Sequence, residues 1–238
     1  MRINEELCIG CGSCVPYCPM GCISLDDKAR IDVDECVECG VCFRSKVCPV
    51  DAIYEGELDE LRLFRKTFSD PWVVHPSTNV PGRGTEEMKT NEVTGRFKRG
   101  YTGIAIELGR PGTGTRFYDV EKIAKACAAF GVEFEPQNPV TAIMVDKKTG
   151  KIDERFMNEK TLSAIVEFTA PNEKVVDILK SVKEASKELS TVASLEVCCK
   201  REPDGSLPME ELAKKAGFTP SLNGKVNVGL GRPLAKEE

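Results

Sequence analysis

The chain has 238 residues, room for one large domain or two modest ones, and its 33 Lys and Arg against 38 Asp and Glu leave a net charge of −5, a poor balance for binding nucleic acid. No run of 18 apolar residues is present to span a membrane, and the polar start from Met1 to Leu7 leaves no room for a signal peptide, so a cytoplasmic location is expected. Twelve cysteines, nine of them between Cys8 and Cys48, point in a reducing compartment to metal ligation rather than disulfides, while a single histidine argues against a histidine-based zinc, haem or non-haem iron site.

In chain order the first elements are two cysteine runs. Cys8, Cys11, Cys14 and Cys18 follow a C-x2-C-x2-C-x3-C spacing and precede Pro19; Cys36, Cys39, Cys42 and Cys48 follow C-x2-C-x2-C-x5-C and precede Pro49. The first three cysteines shift by 28 residues between copies and the fourth by 30, so the second copy carries a two-residue insertion within Phe43 to Val47. Cys18-Pro-Met-Gly-Cys-Ile23 mirrors Cys48-Pro-Val-Asp-Ala-Ile53, which marks an internal duplication. Three thiolates two residues apart wrap a cluster, and Gly10, Gly12 and Gly40 let backbone N–H groups turn toward its sulfurs. Zinc prefers two separated C-x2-C pairs and suits this pattern poorly. Cys22, aligned with Ala52, reads as a small buried residue beside a cluster.

Residues 1–55 resemble the bacterial 2[4Fe-4S] ferredoxin family. The resemblance implies two [4Fe-4S] clusters, one held by Cys8, Cys11, Cys14 and Cys48, the other by Cys36, Cys39, Cys42 and Cys18. The x5 spacing before Cys48 departs from the family's commoner x3.

Residues 56–100 are expected to form a helix and an arm. Leu58, Leu61 and Phe64 or Phe68 stand at helical spacing over 57–68, giving a short amphipathic helix that packs on the preceding segment. From Ser69 to Gly100 periodicity is lost among prolines and glycines. This stretch carries Trp72, His75, Arg83, Lys89, Arg96, Lys98 and Arg99, and its apolar residues suit an extended arm lying on a partner better than a free linker.

Residues 101–238 read as strand Gly103–Leu108, helix Asp119–Phe130 capped by Asp119, strand Val140–Val145, a turn at 146–150, strand Leu162–Thr169, helix Asn172–Leu189 and strand Val192–Cys199. Helix Met209–Ala216 and strand Lys225–Leu230 extend this order. The fold class is therefore α+β, an N-terminal dicluster ferredoxin domain followed by a βαββαβ ferredoxin-like sandwich with a helix-strand extension; the second part resembles ACT-like and ferredoxin-like α/β domains in element order. The Gly109–Arg116 loop lacks a Walker or dinucleotide fingerprint, but Arg110, Gly112, Gly114 and Arg116 are candidates for contact with an anion or partner. Cys127 and the adjacent Cys198 and Cys199 read as structural thiols.

Two close-set clusters serve to pass single electrons. The expected function is an electron-transfer subunit that relays electrons between a soluble carrier and a larger catalytic subunit of flavin, thiamine diphosphate or tungsten/molybdenum type. Two alternatives follow from the same residues. One is a redox or ligand sensor whose Gly-Arg loop binds a small anionic effector. The other is an iron–sulfur enzyme using His75, Lys89 or Tyr101 as proton donor.

Overall fold

The computed structural model describes residues 1–79, 81, 98–110 and 112–221. Short antiparallel ladders hold the cysteine-rich segment. β1 (Arg2–Ile3) pairs with a later strand at Ile53–Tyr54, while β2 (Ile23–Leu25) and β3 (Ala29–Ile31) form a hairpin. The sequence repeat recurs in the backbone. Asn4 N donates to Ala52 O and Asp32 N donates to Cys22 O, both at 2.8 Å. Asn4 Oδ1 and Asp32 Oδ1 each accept from the N–H two residues on, at 2.9 Å. Left-handed residues also match in pairs, Gly10 with Glu38 at φ 69° and 57°, and Gly12 with Gly40 at 72° and 69°. Ahead of Cys48 the second copy has a helical turn, α1 (Val41–Arg44), where the first copy has a 3₁₀ turn at Val15–Tyr17; the strand at Ile53–Tyr54 is β4.

α2 (Glu60–Ser69) begins three residues later than its periodicity predicts, because Asp59 caps it by accepting from Arg62 N at 2.7 Å. The helix is bound on two faces. Toward the cysteines, Arg62 Nε donates to Glu38 Oε1 at 2.9 Å, and Arg65 Nη1 donates to the carbonyls of Asp34 at 2.5 Å and Cys36 at 3.2 Å. On the other face, Phe64 stacks on Phe156 with centroids 4.0 Å apart and Phe68 meets Phe117 edge-on at 5.1 Å. Arg65 Nε also donates to Glu159 Oε2 at 2.5 Å, and Ser69 Oγ accepts from Leu162 N at 3.0 Å.

The remaining elements are β5 (Tyr101–Leu108), β6 (Thr115–Arg116), α3 (Phe117–Ala128), β7 (Glu133–Phe134), α4 (Pro139–Ala142), β8 (Met144–Asp146), β9 (Lys151–Ile152), β10 (Lys160–Thr161), β11 (Ala164–Pro171), α5 (Asn172–Ala185), β12 (Ala193–Cys199) and α6 (Pro208–Lys215). The largest sheet is antiparallel with strand order β12-β5-β11-β7. Alternation along β5 and β11 turns Ile104, Ile106, Leu108, Val166 and Phe168 into one core with Val120 and Ile123 of α3 and Val175, Ile178 and Leu179 of α5.

Two expectations need correction. Asp119 does not cap α3; Arg116 stands at that position. Asp119 lies inside the first turn, fully buried, accepting from Ser190 Oγ at 2.5 Å and Lys122 Nζ at 3.0 Å, so a tertiary partner explains it. Val140–Val145 is not the second strand of the sheet. Asn138 Oδ1 accepts from Val140 N at 2.8 Å and Pro139 takes the first helical position, so the chain turns into α4 before β8. The sheet is edged instead by the two residues of β7, paired with Phe168 and Thr169. Of the expected arm, Arg83, Lys89 and Arg96 lie outside the described residues, as does the strand expected at Lys225–Leu230. Among the described residues no helix is long and apolar enough to cross a membrane.

Candidate iron–sulfur centre

Two hollows lie in the cysteine-rich segment. Cys8, Cys11, Cys14 and Cys48 line one, together with Gly12 and Ile53. Cys18, Cys36, Cys39 and Cys42 line the other, joined by Cys22. The fourth cysteine of each run thus crosses to the hollow lined by the other run. Its thiol accepts from a backbone N–H in both copies, Cys22 N to Cys18 Sγ at 3.4 Å and Ala52 N to Cys48 Sγ at 3.2 Å. Sulfurs spread around a cavity, with N–H groups aimed at them, suit a cage of iron and sulfide. The donor set therefore fits [4Fe-4S] clusters.

Comparison with known proteins agrees. Residues 1–24 match the family described as 4Fe-4S binding domain. The chain is 50% identical over 58 residues to Ferredoxin 7Fe of Hydrogenibacillus schlegelii, a stretch covering 23% of this chain and 72% of that protein. It is 33% identical over 102 residues to Ferredoxin-1 of Caulobacter vibrioides, covering 41% and 88% respectively. Through its N-terminal segment, the chain belongs to the ferredoxin family. That segment is of the 2[4Fe-4S] type. The chain is also 43% identical over 51 residues to pyruvate synthase subunit PorD of Methanothermobacter marburgensis, 21% of this chain and 58% of that subunit, and so spans just over half of the subunit's length.

The electrostatics of the ferredoxin segment differ between hollows. Cys22 Sγ sits 3.3 Å from Cys18 Sγ, and hydrogen bonding to Cys22 lowers the thiols of Cys18 and Cys36 to about 6, whereas burial raises those of Cys39 and Cys42. In the other hollow, Ser13 hydrogen-bonds to Cys11 and lowers its thiol. The second copy also carries a buried hub that the cysteine pattern did not reveal. Burial alone would raise the Glu38 carboxyl, but the hydrogen bond and charge of the Met1 ammonium, together with Arg62, hold it below its usual value. The available signal was the repeat itself, since Glu38 stands where the first copy has Gly10.

The loop candidates do not converge. Arg110 pairs with Glu107 at 3.2 Å. Arg116 Nη2 donates to Asp34 Oδ2 at 3.0 Å and Glu35 Oε1 at 2.6 Å, tying the loop to the ferredoxin segment. Gly114 is buried against Met20, where an added Cβ would fall 2.7 Å from the Met20 sulfur; Gly112 is exposed. Cys127 is fully buried in α3. Cys198 and Cys199 stand on β12 opposite Gly103 and Thr102, with Cys199 beside the core.

Of the candidate proton donors, Lys89 lies outside the described residues and Tyr101 is exposed. His75 is buried, edge-on to Phe68 at 5.0 Å, and its Nδ1 accepts from Ser77 N at 3.2 Å. Burial lowers its pKa from 6.5. Because the folded value is depressed, the unfolded chain takes up the proton first as pH falls. This contribution to stability is full above the unfolded value of about 6.5 and declines as pH drops through it. NMR of protein carrying ¹³C-labelled histidine, with one imidazole resonance to follow, is expected to show a midpoint below 6.5; a midpoint at or above it would contradict the buried neutral ring.

Proposed function

We propose that this chain relays single electrons through two [4Fe-4S] clusters as the ferredoxin-like subunit of a larger oxidoreductase. Cys8, Cys11, Cys14 and Cys48 hold one cluster; Cys36, Cys39, Cys42 and Cys18 hold the other. The observation that carries this reading is the crossing of the fourth cysteines, which puts four sulfurs of the repeat around each of two hollows. When bound, such clusters accept and release one electron at a time. The chain's own residues hold the thiolates apart, turn N–H groups toward them and exclude water with Ile3, Ile23, Ala29 and Ile53.

Similarity to a pyruvate synthase subunit supports a catalytic partner. We place that partner in the flavin, thiamine diphosphate or tungsten/molybdenum class, with a soluble carrier at the other end of the relay. The ferredoxin-like layer pair built from β5, α3, β7, β11, α5 and β12 serves as the attachment to the larger subunit, and α2 connects it to the cysteine-rich segment. Native mass spectrometry of protein purified without oxygen tests the reading in one measurement. The expected result is about eight irons with matching sulfide and a co-purifying redox subunit. Zinc in place of iron, or a lone chain with intrinsic turnover, would overturn it.

A further inference from the structure

The internal repeat allows the same loop to be compared in two surroundings. Cys8-Ile9-Gly10-Cys11-Gly12 and Cys36-Val37-Glu38-Cys39-Gly40 share one backbone course, yet Ile9 is 62% exposed and its counterpart Val37 1%. Cys11 is exposed and its counterpart Cys39 is buried. The second loop is sealed by cations: Arg65 on the Cys36 carbonyl, Arg44 on the Cys39 carbonyl, and Arg62 on Glu38. Around the first loop, Leu7 and Leu25 are 51% and 42% exposed. The hairpin turn lies against it, since a Cβ added at Gly12 would fall 2.8 Å from Leu25 Cδ2 and one at Gly10 would fall 2.3 Å from Asp27 O.

Charge surrounds this apolar patch unevenly. Glu5, Glu6, Asp26 and Asp27 stand against Lys28 and Arg30. Lys28 is bound to the Cys8 carbonyl, and Arg30 pairs with Glu5 at 3.3 Å. An exposed apolar patch rimmed by carboxylates has the make-up of a protein-docking surface, and complementary charge across such a surface steers the encounter.

Resting on the electron-relay reading above, we infer that the Cys11 face is where the soluble redox partner docks, and that this partner presents an apolar patch ringed by lysine and arginine. The Cys36–Gly40 loop, sealed from solvent, is not open to such a partner.

Mitochondrial cytochrome c, whose haem edge is ringed by lysines, serves as the probe. Anaerobically reduced holoprotein is mixed with it in a stopped-flow instrument at low ionic strength. The double variant D26K/D27K is expected to reduce it about tenfold more slowly than the parent chain, and the difference should shrink as salt is raised. The control E173K/D177K, with the same change in net charge on exposed positions of α5, is expected to change the rate less than about twofold. Carbodiimide cross-links to cytochrome c lysines should map to the peptides bearing Glu5, Asp26 and Asp27. Equal slowing by both variants, or cross-links confined to other surfaces, would overturn the docking face while leaving the relay intact. Failure to pass electrons to any acceptor would overturn both. A dimer in solution that I9E dissolves would show that a second copy, not a redox partner, covers the patch.

Discussion

On the proposed two-cluster reading, replacing Cys11 by Ser is expected to remove about half of the iron and leave the other cluster spectroscopically unchanged, and Cys39→Ser is expected to do the converse. The sulfurs of Cys8, Cys11, Cys14 and Cys48 surround a hollow that shares no cysteine with the one lined by Cys18, Cys36, Cys39 and Cys42. Iron and sulfide analysis, with electron paramagnetic resonance of the reduced protein, reads the result directly. The two variants should differ in severity. Cys11 is exposed, so a weakened cluster there is open to solvent and oxidant; Cys39 lies beneath Arg44 and α2, so loss of the second cluster leaves a buried void where thiols must be repacked. Loss of all iron from Cys11→Ser would mean that the two hollows assemble as one unit.

The second large effect is expected at Glu38. Its carboxylate is fully buried between the Met1 ammonium and Arg62, with Arg2 at 3.5 Å. Glu38→Gln keeps the shape and removes the charge, leaving the Arg62 guanidinium with a neutral partner inside the protein. Breaking a buried pair from one side costs about 3–5 kcal/mol. Following the visible absorbance of the holoprotein through an anaerobic thermal ramp should show the midpoint falling by roughly 6 °C or more. Adding Arg62→Met to Glu38→Gln is expected to recover part of the loss, because the orphaned cation is gone. A single variant as stable as the parent chain would show that the hub contributes nothing net.

The chemistry of this chain was far more legible in its sequence than the packing that surrounds it. Cysteine spacing is local and repeated, so the duplication was visible without any coordinates and reappears in paired left-handed residues and matching hydrogen bonds. The long elements β5, β11, α5 and β12 also stood out, since each carries its apolar face over two or more periods. Val140–Val145 misled because a β-branched run looks like a strand, whereas Asn138 and Pro139 start a helix there. The true edge strand, β7, is two residues long and too short to leave a periodic trace. Glu38, Arg62 and Arg65 give little sign of burial in the sequence because charged residues are ordinarily solvated; only the fold shows that these three meet inside.

α2 joins the two parts, its arginines holding the Cys36–Gly40 loop and its phenylalanines wedged beside Phe117 and Phe156. A disturbance on either side, at the Cys36–Gly40 loop or in the aromatic cluster around Phe117, therefore reaches the other through one helix.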